Sequence, residues 1–145
     1  MSTRVYGSLA RIADFRNSNY DVQVVPRSEW ATGDYVEGEV VGTITQFYHI
    51  EDRSGHMVRV EPGDWIIGAL GERAATLEGV GSWRDIGPDG RMVAVTAAGL
   101  TGRFTSFSTL LPEPLILKYR GHLCRNEKKI CMSDFAMKAD FHGFN

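Results

Sequence analysis

The segment Ala98-Gly99-Leu100-Thr101-Gly102-Arg103 is the most loop-like glycine stretch in the second half of the chain. Successive N–H groups of such a loop can cradle an anion, and the Arg103 guanidinium adds a forked donor. Thr101, Thr105 and Ser106 can contribute hydroxyl bonds. Gly99, Thr101, Gly102 and Arg103 are therefore the predicted ligand-binding residues, and the expected ligand carries a phosphate or a carboxylate. The segment is no Walker loop, because no Gly-Lys-Ser/Thr follows, and its G-x-x-G lacks the flanking helices of a KH domain. The same glycines also fit a plain connection between two strands.

A second constellation lies further on. Lys118, Arg120, Arg125, Lys128, Lys129 and Lys138 are interleaved with Tyr119, Phe135 and Phe141. Basic side chains with stacking aromatics are the elements of a single-strand nucleic-acid surface. The net charge of -2 argues against that use, since such binding depends on neutralised phosphates. Lysines on a solvated hairpin also guard an edge strand. Cys124 and Cys131 flank the same turn, where they can face each other across two strands, with His122 two residues before Cys124, and Asp134 and His142 nearby. The spacing matches no structural zinc motif, so the expectation is no metal, and whether the two thiols pair stays open. His49 and His56, near Asp52, offer a weak acid–base pair or solvated hairpin positions. No G-x-S-x-G or H-E-x-x-H is present, and no two carboxylates are spaced as a predictable acid–base pair.

These residues need elements to hold them, and the pattern favours strands. Val, Ile and Thr make one fifth of the chain, and glycine counts sixteen. Val22–Val25, Met57–Val60, Arg91–Thr96 and Leu115–Tyr119 read as strands. Three hairpins are expected: across Glu51–Gly55, across Gly87-Pro88-Asp89-Gly90, and across Arg125–Lys129. Helical signals are confined to Arg11–Ser18 and Phe104–Leu111.

One internal repeat organises the whole. Gly33-Asp34-Tyr35-Val36-Glu37-Gly38 returns thirty residues later as Gly63-Asp64-Trp65-Ile66-Ile67-Gly68. A duplicated turn-into-strand unit fits a pseudo-symmetric barrel, in which both copies occupy comparable places. The twice-occurring Gly-Asp turn resembles the GD box of the cradle-loop β-barrels, which include double-psi, swapped-hairpin and riboflavin-synthase-like barrels. The resemblance implies that the glycine permits a tight turn, that the carboxylate accepts backbone N–H bonds, and that Asp34 and Asp64 are structural. Decarboxylases, molybdopterin-binding domains, kinases and DNA-binding regulators all use such barrels, so function must come from the site.

At 145 residues and 16.1 kDa the chain has the size of one domain, read as residues 1–145 and open to being one module of a longer protein. The expected fold is mainly β: a small closed or partly open barrel with duplicated turn–strand units and at most one or two short helices. No apolar run is long enough to cross a bilayer and no signal sequence is seen, so a cytoplasmic setting with reduced thiols is expected. Charge is uneven: residues 1–90 hold eight basic and fourteen acidic side chains, and residues 91–145 hold eight and four. The leading expectation is a non-catalytic domain that binds a small anionic ligand or a protein partner, without a cofactor. A small enzyme on an anionic metabolite, with Arg103 and a histidine, is the main alternative, and an oligonucleotide-binding barrel the third. Apolar residues near the C-terminus, among them Phe141 and Phe144, leave room for association between copies.

Overall fold

The computed structural model describes residues 3–11, 13, 15, 20–41, 48–75, 79–96, 98–107 and 115–135. Its strands are β1 (Arg4–Tyr6), β2 (Asp21–Gln23), β3 (Tyr35–Val40), β4 (Tyr48–Glu51), β5 (Met57–Val60) and β6 (Trp65–Leu70). They continue as β7 (Glu72–Ala75), β8 (Gly79–Ser82), β9 (Arg91–Ala94), β10 (Leu100–Phe107), β11 (Ile116–Arg125) and β12 (Lys128–Lys129). Helical structure among the described residues is three short 3-10 turns and one turn at residues 133–135. No described helix is long and apolar enough to cross a membrane.

The chain is mainly β. Among the described residues ten strands join one sheet, and β4 and β5 form a separate hairpin. From β6 the pairings run through β3, β11, β9 and β10, and β10 then pairs with β6 again. The outer edge of β6 is shared: β1 runs parallel to Trp65–Ile67, and β10 runs parallel to Ala69 and Leu70. Strand alternation sends Val36, Val40, Ile66 and Leu70 into one apolar cluster with Val5, Met92 and Leu117. Tyr35, Ile67 and Ala69 enter a second cluster with Ala10, Phe15 and Leu123. Burial on both faces explains why β6 reads as an unbroken apolar run rather than an alternating one.

The repeat is structural as well as sequential. Gly33 and Gly63 adopt φ of 91° and 94°, the left-handed region in which glycine carries no steric penalty. Asp34 Oδ2 accepts the Ala31 N–H at 2.8 Å, and Asp64 Oδ2 accepts the Glu61 N–H at 2.9 Å. Gly33 N donates to Leu70 O and Gly63 N to Val40 O, while Leu70 N and Val40 N return bonds to Asp34 O and Asp64 O. The antiparallel register places Glu37 opposite Ile67, which are matched positions of the two copies. A local two-fold axis therefore passes between them, and the two Gly-Asp turns lie at opposite ends of the β3–β6 pair.

Three expectations need correction. Phe104–Phe107 is strand, not helix, because β10 continues antiparallel to β8, pairing Phe104 with Gly81 and Phe107 with Gly79; residues 108–111 lie outside the described ones. The Gly87–Gly90 turn forms, with Gly90 N bonded to Gly87 O, but it joins no hairpin. A 3-10 turn at Trp83–Asp85 precedes it, and β8 and β9 each pair with β10 instead. Cys124 faces Lys129 rather than Cys131, because Asn126 and Glu127 take left-handed conformations and close a two-residue hairpin one step tighter. Of Arg11–Ser18 only Arg11, Ala13 and Phe15 are described.

Candidate functional site

Leu100–Arg103 of the glycine segment expected to be a ligand-binding loop lies in strand β10, and other backbone packs closely on the segment. Gly99 N donates to Thr96 O, and Leu100 N to Thr96 Oγ1 at 3.4 Å. Gly99 O accepts from Ala69 N at 3.0 Å and from the buried Thr101 hydroxyl at 3.0 Å. Gly102 is buried against Ser82 and Trp83, where an added Cβ would lie 2.8 Å from Ser82 C. Gly99 packs on Gly7 and Gly68, so the three glycines let three chain segments meet at van der Waals distance. Arg103 is half exposed, with Nη1 3.9 Å from Asp89 Oδ1.

The basic residues divide. Arg120 donates through Nε to Glu39 Oε1 at 2.8 Å and lies over Trp65. Lys129 donates to Asp34 Oδ2 at 2.9 Å and to Glu29 O. Lys118 and Lys128 are exposed, and Arg125 is half-buried at the hairpin end. Tyr119 and Phe135, two of the interleaved aromatics, pack against the two cores instead of facing outward. Lys138, Phe141 and His142 lie outside the described residues. Both cysteines are free, and no three His, Cys, Asp or Glu side chains gather as a metal site among the described residues. His49 faces Arg59, and His56 sits in the turn, so the two histidines are not cross-strand neighbours.

Asp34 holds a buried polar network that its counterpart Asp64 lacks. His122, fully buried on β11, places Nε2 3.0 Å from Asp34 Oδ2 and Nδ1 2.7 Å from Tyr119 Oη. Tyr119 Oη accepts the Val25 N–H at 3.1 Å. One arrangement satisfies every group: Nε2–H donates to Asp34, and the Tyr119 hydroxyl donates to Nδ1 while accepting from Val25. Trp30 packs on both rings, 4.6 Å from Tyr119 and 5.3 Å from His122 between centroids. Burial pushes the Asp34 carboxyl up, but bonds from His122, Lys129 and the Ala31 N–H outweigh it, leaving it below its ordinary 3.8. A lowered carboxyl contributes stability that is complete above the unfolded value and lost as pH falls through the folded one. The thermal midpoint should therefore drop steeply in the wild type below about pH 4, and less in Asp34→Asn. Parallel curves for the two proteins would show that Asp34 carries no such linkage.

A second polar group borders an open cleft of about 250 Å3 between β1 and the β4–β5 hairpin. Arg4, Tyr6, Asp52, Arg53, Ser54 and Val58 are among the residues lining it. The alternation of β1 buries Val5 and turns Arg4 the other way, and a bridge between Gly7 and Asp52 fixes the hairpin beside it. Arg4 Nε stands 2.8 Å from Glu37 Oε2, an ion pair by distance in which Oε2 still lacks an aligned hydrogen bond. Burial raises the Glu37 carboxyl, with Arg4 pulling it back in part. Arg53 lies 4.2 Å over the Tyr6 ring, and its Nη1 donates to Phe15 O at 3.4 Å. Asp52 Oδ1 caps the turn, accepting from Ser54 N and His56 N. Both guanidiniums are held by partners within the fold. Arg4 and Arg53 belong to no local motif and come to line one cleft only through the fold.

Comparison of the chain with protein-family models, with curated proteins and with solved structures finds no match in any of the three.

Proposed function

We propose that this chain is a small β-barrel binding domain, not catalytic by itself, whose ligand is a small anion held between Arg4 and Arg53. The barrel reading is supported by the pairing order that starts and ends on β6. The observation that carries the ligand reading is one small cleft lined by two arginines, each already held by a partner within the fold. Planar forked donors suit carboxylate and phosphate oxygens, and prior positioning lowers the ordering cost of binding. His122, the histidine most fixed by hydrogen bonds among the described residues, is sealed behind Asp34 and Tyr119. That enclosure favours binding over acid–base turnover.

Isothermal titration with inorganic phosphate and with propionate tests the reading. Arg53→Ala should weaken binding by about tenfold or more, equivalent to roughly 1.4 kcal/mol, while Arg103→Ala leaves it unchanged. Circular dichroism verifies the fold of each variant, because Arg53 also stacks on Tyr6. Loss of binding in Arg103→Ala with Arg53→Ala unaffected would move the site to the 98–103 segment. No binding of either anion by the wild type would remove the reading.

A further inference from the structure

We infer that the ligand of this cleft is a free α-amino acid, bound as its zwitterion. The inference rests on the anion site just proposed and deepens it. The lining is of mixed sign: Asp52 borders the same cleft as Arg4 and Arg53. Its Oδ1 is committed to the N–H groups of Ser54 and His56, which fixes the carboxylate, and Oδ2 has no described hydrogen-bond partner. Glu37 offsets the charge of Arg4 from behind. A compact polyanion would therefore meet one uncompensated carboxylate and only one uncompensated guanidinium. A molecule with a carboxylate for the arginines and an ammonium for Asp52 matches both signs at once. At about 250 Å3 the cleft falls below the roughly 300–1,000 Å3 of sites for drug-sized ligands, which favours a few heavy atoms over a nucleotide. Val58 supplies an apolar wall for a short side chain. A free amino acid carries both charges on one carbon, whereas the two ends of a peptide are separated by the chain.

The experiment compares alanine, propionate and ethylamine by isothermal titration on the full chain, with phosphate as the control anion. Alanine should bind at least about tenfold more tightly than propionate, and ethylamine should not bind measurably. Asp52→Asn keeps an acceptor oxygen for the turn, so the fold is retained. It should abolish the alanine preference, with propionate binding at least as tightly as before because the repelling carboxylate is gone. Equal binding of alanine and propionate by the wild type overturns the zwitterion and leaves the anion reading standing. Phosphate binding with no response to alanine does the same. An alanine preference that survives Asp52→Asn also overturns it. Failure of all four probes overturns the inference together with the site it rests on.

Discussion

Asp34→Ala is expected to lower unfolding free energy by about 3 kcal/mol, and Asp64→Ala by only about 1 kcal/mol. The two aspartates close turns with the same hydrogen bond and glycine conformation, and each alanine variant forfeits the bond from the N–H three residues earlier. That shared loss is of the size of a capping bond, about 1 kcal/mol. Asp64 adds an exposed bond from Thr3 N at 3.0 Å, which water replaces readily. Asp34 adds His122 Nε2 and Lys129 Nζ, and neither partner is easily rehydrated: His122 is fully buried and Lys129 mostly so. Removing one member of a buried polar pair costs more than the pair contributes, because the survivor keeps its desolvation penalty. Urea unfolding at neutral pH, with an unchanged m-value, separates the variants. Equal shifts in the two alanine proteins would show that His122 and Lys129 find other partners and that the network is dispensable.

The same contrast explains what could be read from sequence. Chemistry that closes within a few residues was visible. The Gly-Asp turns, the Gly55 turn and strand β5 follow from glycine conformation, aspartate acceptors and period-two alternation, all local properties. The resemblance between the two turns was also legible, since it needs only the residues that repeat. What depended on distant pairing was not. The Asp34–His122 contact spans 88 positions, and nothing near His122 announces a carboxylate. The parallel pairings of β1 and β10 to β6 follow from neither strand's own pattern, and β10 runs through the first residues of the expected helix because β8 offers it an edge. Arg4 and Arg53 look like ordinary surface charges until β1 and the hairpin are set side by side. Glycine at 99 and 102 was a genuine signal of close approach, but glycine does not say whether the approaching group is a ligand or another strand.

That ambiguity gives the second large effect. Gly68→Ala should destabilise the protein by about 3 kcal/mol, the upper end of overpacking, whereas Gly38→Ala should change stability by about 1 kcal/mol or less. The two glycines are matched positions of the repeat on neighbouring strands. A Cβ at Gly68 would stand 2.3 Å from Gly99 O and 2.6 Å from Thr101 Oγ1. Neither atom can withdraw cheaply, because Gly99 O already accepts from Ala69 N and from the Thr101 hydroxyl. At Gly38 the closest atom is Met92 Cε at 2.9 Å, the end of a flexible thioether chain, followed by Leu117 Cβ at 3.1 Å. Moving a methionine terminus is cheap, and alanine recovers part of the cost by restricting the unfolded chain. Thermal unfolding of the two variants compares them directly. A large loss in Gly68→Ala alone would mean that the 98–102 segment is held shut by backbone packing, with its amides withheld from any ligand. Equal tolerance of both alanines would mean that the segment yields readily, and the case for an anion at Gly99, Thr101, Gly102 and Arg103 would gain against the cleft at Arg4 and Arg53.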